Sequence, residues 1–396
     1  MGFPTVELSL ALGQNWNAEP PTWTDISTRV KSGGVKRGRS FEFDRAETGT
    51  CNVLLKNQDR ALEPEFASSP YYPNLDAGRV QARLRAVYGG TTYGLFRGVA
   101  QDFSPAWEVG PRCDVPLQVT DAWENLGEAD VTATLSMGGA GSQLVTILDA
   151  IGWPSALRSL DAGITTIPGR ELVAANAREE CNQIAVETEL GYVFVNATGS
   201  IVFHDRHRRH KTPYLTSVAT FADATTGGGV LYRDLEPVFG TPRLKNRAVV
   251  TRTDGEAQTA EDAISVGLRG RRTITRAPTL SSDQEALYLA QFLVAKFKDP
   301  VMRFERIEWI YRGVDSEWAT VLAREIGDRV TIKRTPPGGG AAISKDCHIE
   351  SIEHSFAPGN RWRTVFSLSP ASLETFLILD HATRGKIDTA ANKVGY

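Results

Sequence analysis

The stretch IVFHDRHRRH, residues 201–210, places His204, His207 and His210 within seven positions, and the whole chain has six histidines. Arg206, Arg208 and Arg209 lie between them, and Lys211 follows. Imidazoles at short spacing are metal ligands or general bases, and clustered guanidinium groups grip phosphate. A metal centre, a phosphate contact and an activated water are therefore the chemistries to weigh. Against them stands a plain alternative, the solvated end of a strand.

If 201–210 is one strand, neighbouring side chains alternate faces. His204, Arg206, Arg208 and His210 then share one face, while Asp205, His207 and Arg209 take the other. His204 and His210 stand roughly 20 Å apart at about 3.3 Å per residue, whereas zinc draws its nitrogen ligands to about 2.0–2.1 Å. The spacing argues against a metal. It favours a wet strand end, with a basic contact surface as the alternative, since four positive charges fall in six residues. Only Phe203 and Tyr214 flank the run as aromatics that could stack on bases.

Other motifs of chemistry are missing. The sequence contains no GxxxxGK[ST], HExxH or GxSxG. GGVLYRDL and PPGGGAA are glycine-rich and read as loops. Asn196-Ala197-Thr198 matches a glycosylation sequon but reads as a turn. Cys51, Cys113, Cys181 and Cys347 lie far apart without a CxxC pair, which predicts buried, reduced thiols. No catalytic, cofactor-binding or metal-ligating residue is assigned.

With 396 residues, 41% hydrophobic and 23% charged, the chain has the composition of globular domains. A net charge of −3 gives no global field toward DNA or a membrane. No segment approaches the roughly 20 apolar residues of a membrane span, and the N-terminus lacks the pattern of a signal peptide.

Stepping along the chain, residues 1–125 alternate apolar and polar positions. Phe41 and Phe43, then Cys51, Val53 and Leu55, read as half-buried strands, and Val80–Ala86 turns through Gly89-Gly90 into a return strand. The loop 61–79 between them is rich in proline. Residues 126–239 read as a small α+β unit. Gly138, Gly139 and Gly141 form a joint, Ser142 caps a helix over QLVTILDAI, and a second helix is expected over 171–190. A hairpin then joins Tyr192–Val195 to Ile201–Phe203.

From 240 to 371 the chain is β-rich again. One long helix starts at the capping box Ser282-Asp283-Gln284-Glu285, and Met302, Phe304, Ile307 and Trp309 are unevenly spaced inward positions of a strand with a bulge. A short helix then enters a strand over 316–334, and CHIESIEHSF pairs with RWRTVFSLSP. Residues 372–396 form a C-terminal extension, extended or ordered by partners. Asp76–Val80 and Gly327–Val330 carry similar turns before strands, a hint of distant duplication.

The order of these features resembles the minor tail proteins of long-tailed, siphovirus-type bacteriophages. RGRSFEFDRAETGT with Arg37-Gly38-Arg39, LLKNQDRALEP, SPYYPNLDAGR and LFRGVAQDF followed by Trp107 carry the match at the N-terminus. ILDAIGWP, ELGYVFVNATGSIVFHDR, LKNRAVVTR, REIGDRVTI and HIESIEHSFAPGNRWRTVFSLSPA extend it over nearly the whole chain. Each motif is weak alone, and their succession is specific.

The resemblance implies the baseplate hub, or tail-tip hub, class. The fold would be α+β and mainly β, with two tube-type β-domains flanking a small α+β domain. Such a virion protein, made in the host cytoplasm, sits at the distal end of the tail. Its three copies form a pseudo-sixfold ring that adapts a six-fold tube to a three-fold tip or central fibre. The implied partners are further copies of the chain, the distal tail protein, the tail tube, the tape-measure protein and the fibre, with DNA only in transit through the lumen. Rival readings are a distal tail protein forming a hexamer, a cell-wall hydrolase, and a carbohydrate or receptor binder using Trp16, Trp23 or Trp153.

Overall fold

Apolar side chains at every second position drive much of this chain into strands. The computed structural model describes residues 2–42, 44–107, 113–224 and 228–371. Phe43 and the 372–396 extension therefore lie outside the described residues. The first strands are β1 (Thr5–Ala11), β2 (Val30–Gly38), β3 (Glu47–Lys56), β4 (Gln81–Tyr88), β5 (Thr91–Asp102) and β6 (Cys113–Thr120). In β3 the expected inward set, Cys51, Val53 and Leu55, is buried, and Gly89 and Gly90 turn β4 into β5 with positive φ. Phe41 belongs to no strand: it lies in the connection before β3 with the Arg243 guanidinium 3.4 Å from its ring centre.

After β6, Asp121 caps α1 (Ala122–Glu128) by accepting from the Trp123 N–H. The middle of the chain follows, with β7 (Asp130–Leu135), α2 (Ala140–Ala150), β8 (Arg170–Asn176), α3 (Ala177–Asn182), β9 (Tyr192–Val195) and β10 (Ile201–His204). Two helix expectations are corrected here. Ser142 is not the cap of α2, whose N-cap is Gly139, three residues earlier, and the Ser142 hydroxyl instead donates back to the Gly139 carbonyl. The segment 171–176 is strand β8 paired with β7, so the second helix begins only where Asn176 caps it through the Glu179 N–H. Val173, on that strand, is accordingly exposed.

The chain then adds β11 (Ala219–Ala222), β12 (Val230–Leu231) and β13 (Asp234–Val238). GGVLYRDL is thus strand in part rather than loop. A satellite sheet of β14 (Arg247–Thr251), β15 (Ala257–Glu261) and β16 (Thr273–Arg276) carries α4 (Asp283–Phe297). Ser282 caps α4 through the Glu285 N–H, and Ala286, Leu289, Ala290, Leu293 and Phe297 are buried as the periodicity predicts. Finally come β17 (Arg303–Ile310), α5 (Trp318–Leu322), β18 (Arg329–Arg334), β19 (Ile343–Ala357) and β20 (Arg361–Pro370). The expected bulge in β17 falls at Glu305, and Met302 is exposed while Phe304, Ile307 and Trp309 are buried.

The strand pairing shows a repeat. In the first unit the order is β2-β3-β6-β5-β4; in the second it is β13-β17-β20-β19-β18. Every pair in both lists is antiparallel, and each list visits its strands in the same chain order. Both units also carry a one-residue bulge at the same place, Gln101 between Ala100 and Asp102, and Glu350 between Ile349 and Ser351. The side chain of each bulged residue meets a hydroxyl on the next strand, Gln101 with Thr120 and Glu350 with Ser369.

The two units share one sheet because β2 pairs with the far half of β19, Gly33–Gly38 against Ser351–Phe356. One hydrophobic core runs through both, from Val53 and Phe96 to Ile352 and Trp362. The middle of the chain has its own core around Trp123, Ile147 and Phe203, and α4 a third around Leu289 and Leu293.

Gly38 ends β2 at φ +103, and a Cβ there would lie 2.3 Å from the Glu350 carbonyl oxygen. Only glycine fits that crossing. Gly38→Ala adds strain of about 1–3 kcal/mol in addition to the clash. It should lower the urea midpoint sharply, whereas Gly90→Ala, which meets open space, should cost only its backbone strain.

Candidate functional site

The residues singled out by chemistry straddle the end of a hairpin strand and the turn after it. β10 stops at His204, and a turn from Asp205 leads into a short 3-10 helix, Arg208–His210. The Asp205 carboxylate fixes that turn by accepting from the His207 N–H at 2.9 Å. His204 is buried between Phe194 and Tyr214, with the Tyr214 hydroxyl 3.3 Å from its Nε2. Among the described residues no three His, Cys, Asp or Glu side chains converge on a metal-sized site.

The basic run is mostly neutralised within the chain. Arg208 pairs with Asp161 at 3.2 Å, and Lys211 with Asp205 at 3.3 Å. Arg206 lines a cavity of about 240 Å³ together with Thr165, Glu285 and Tyr288. Arg209 turns inward. Its guanidinium grips Glu350 with both terminal nitrogens, at 2.6 and 3.0 Å. The expected basic rim is thus largely an internal brace. The alternation argument failed because the strand ends at His204, six residues short of His210.

Glu350 is the centre of this brace. It is fully buried, and it also accepts from Arg39 Nε at 2.8 Å and from the Ser369 hydroxyl. Arg39 lies over the Tyr192 ring, 3.6 Å from its centre, and the Tyr192 hydroxyl donates to the Glu350 carbonyl at 3.0 Å. Glu42 extends the network, 3.8 Å from Arg209 and 2.6 Å from Lys296 of α4. Burial alone would raise the Glu350 carboxyl, but the Arg209 and Arg39 charges outweigh it and hold it well below the usual range. Both carboxylate oxygens are occupied by protein donors, so this group is a poor general base.

Two residues away, Arg37 makes a second node. Its Nε donates to the Leu95 carbonyl at 3.0 Å, and its NH1 meets Glu325 at 2.7 Å and the Val195 carbonyl at 3.4 Å. Glu325 in turn accepts from the Ala197 N–H in the β9–β10 turn. Arg37-Gly38-Arg39 therefore ties the first unit, the middle hairpin and the second unit in three consecutive positions. The motif was visible in the sequence, but its two acidic partners, some 290 and 310 positions downstream, carried no signal.

None of the three tryptophans named as sugar platforms is exposed. Trp153 is buried with Trp16 at 5.7 Å, and Trp23 is covered by Arg83 and Arg97. Trp107 is the exposed one, at 75%.

No protein-family model matches the sequence, and no curated protein matches it. Solved structures do match. The 43 kDa tail protein of prophage MuSo2 from Shewanella oneidensis is 12% identical with a TM-score of 0.58, covering 93% of this chain and 97% of that one. A tail protein from Neisseria meningitidis MC58 is 10% identical with a TM-score of 0.60, covering 92% and 96%. A chain of the half-lidded Francisella PdpA-VgrG complex is 10% identical with a TM-score of 0.51, covering 93% of this chain and 58% of that one. The chain thus has the mainly β fold of phage tail proteins.

Removing the charge at the brace should leave two buried guanidinium groups uncompensated. Glu350→Gln is expected to lower the unfolding free energy by about 3–5 kcal/mol, read by urea denaturation. Glu353→Gln, which breaks the half-exposed pair with Arg363, should cost about 1 kcal/mol or less.

The buried histidines set a pH dependence. Burial pushes His204 and His354 down to about 3, and burial with the Arg206 charge brings His207 to about 4. The unfolded chain binds these protons near pH 6.5 and the folded chain does not, so stability is full above that value and falls as pH drops toward 3. Melting temperature should decline from about pH 7 to 5, and His204→Gln should reduce that decline.

Proposed function

We propose that this chain is a structural virion protein of the phage tail tip, of the baseplate hub class, without catalytic activity. Three copies form a ring at the distal end of the tail. The ring adapts the six-fold tube to a three-fold tip or central fibre and lines the channel for DNA ejection. The observation that carries this reading is the repeated strand order within one chain of tail-protein fold. One chain presents two similar units, so three chains present six, which is the symmetry match an adapter needs.

The repeated units are the tube-type domains of this proposal. The first lies within 1–125, and the second is carried by 240–371 with β11–β13 added from the end of the 126–239 segment. The middle segment is the intervening domain. Partners are the distal tail protein, the tube, the tape-measure protein and the fibre. The closed brace at Glu350 supports a load-carrying role, since it fixes the angle between the two units rather than opening to solvent.

Mass measurement of the assembled protein tests this. Three copies per particle are expected. Six copies would overturn the hub reading in favour of a distal tail protein.

A further inference from the structure

Each unit offers one face of the same junction, and the chain itself shows how the junction is made. Within the chain, β2 of the first unit docks on the Ser351–Phe356 edge of the second. The strand equivalent to β2 in the second unit is β13, and among the described residues it pairs only with β17. Its other edge carries no strand among the described residues. The segment equivalent to Ser351–Phe356 in the first unit is Asp102–Trp107, fixed by matching registers at both ends: Asp102 faces Gln118 as Ser351 faces Ser367, and Trp107 faces Cys113 as Phe356 faces Trp362. Past Ala100 this edge has left β4, so among the described residues it too carries no further strand.

We propose that β13 and Phe239 of one copy dock on the open Asp102–Trp107 edge of the next copy. This inference rests on the ring reading and supplies its contact surface. Register carries over position by position: Gly33 is to Phe356 as Leu235 is to Trp107, Gly34 is to Ser355 as Glu236 is to Ala106, and Arg37 is to Ile352 as Phe239 is to Phe103. The surfaces agree with that assignment. Phe356 is buried over Gly33, where an added Cβ would come within 2.9 Å of its ring, whereas Trp107 and Phe239 are exposed at 75% and 68%. Beside Trp107 lies a groove of about 520 Å³ lined by Pro64, Phe66, Phe103 and Pro105, where the chain's own junction has a strand.

The two junctions differ in strength for a physical reason. The covalently linked one is locked by Arg39 on Glu350; the positions equivalent to these are Thr241 and Gln101, both uncharged. Pro105 and Pro237 fall opposite each other, so that pair contributes no N–H to a ladder. The contact between copies depends on apolar anchors and separates without exposing a buried charge. Because the two faces lie on different units, the contact is head to tail and closes into a ring or grows into a filament according to its rotation.

The test is a cross-strand cysteine pair, Ala106→Cys with Glu236→Cys, both at exposed positions. The native cysteines are buried and unpaired, and burial pushes the thiols of Cys51, Cys181 and Cys347 up to about 12, so background linkage is low. Mild oxidation of the assembled protein should give covalent species that end at three chains on a denaturing gel. Trp107→Asp and Phe239→Asp should each reduce the particle to single chains without lowering the melting temperature. Three-copy particles with unlinked cysteines, or particles unaffected by both aspartates, would overturn this surface while leaving the ring reading standing. Cross-linked ladders that end at six chains would uphold the surface and overturn the three-copy ring.

Discussion

The structure depends on one buried carboxylate. Glu350 sits on a bulge of β19, and without that bulge its side chain would follow the strand's alternation rather than reach Arg209 and Arg39. The three groups come from the second unit, the middle of the chain and the first unit. A buried ion pair adds little net stability compared with apolar packing, because desolvation offsets most of the attraction. What it does supply is intolerance of misplacement, since any arrangement that separates the three groups strands a charge in the interior. That is the property needed where three parts of one chain must meet at one angle.

The same bulge exists at Gln101, where the first unit keeps the geometry and replaces the charge. A neutral amide with its hydroxyl partner can be exposed to water and buried again at small cost. The repeated strand order thus carries two versions of one bulge, one charged and locked within the chain, one neutral with an exposed indole on the same edge. In the proposed ring this difference has a use. A joint inside a chain never has to open, while a joint between chains would form after each chain has folded.

Much of the fold was legible in the residues because burial in a half-exposed strand writes a period of two. Cys51, Val53 and Leu55, the Gly89-Gly90 turn, the cap at Ser282 and the bulge in β17 all follow from local rules. The errors arose where local rules compete. Residues 171–176 form a strand because β7 offers them a partner, a non-local fact that helical spacing cannot register. Phe41 left its strand pattern because Arg243, some 200 positions away, covers its ring. The repeat showed only in the turns at Asp76–Val80 and Gly327–Val330, which precede the equivalent strands β4 and β18: strand order and bulge position are kept, whereas equivalent pairs such as Arg39 and Thr241, or Trp107 and Phe356, share no side-chain identity.

The histidine-rich stretch shows why composition alone misled about chemistry. Clustered His and Arg look reactive when their partners are unknown, and here the partners are protein. Tyr214 meets His204, Asp161 holds Arg208, and Glu350 holds Arg209. A functional histidine needs a proton-transfer range near neutrality and access to a substrate. Burial denies His204 both, and it makes the imidazole a neutral packing group that opposes protonation. The cluster of charge in 204–211 is better understood as a seam. Where a hairpin packed on the middle core must meet two β-units that share another, apolar contacts would let the parts slide, and directional charged bonds fix the register of one against the next.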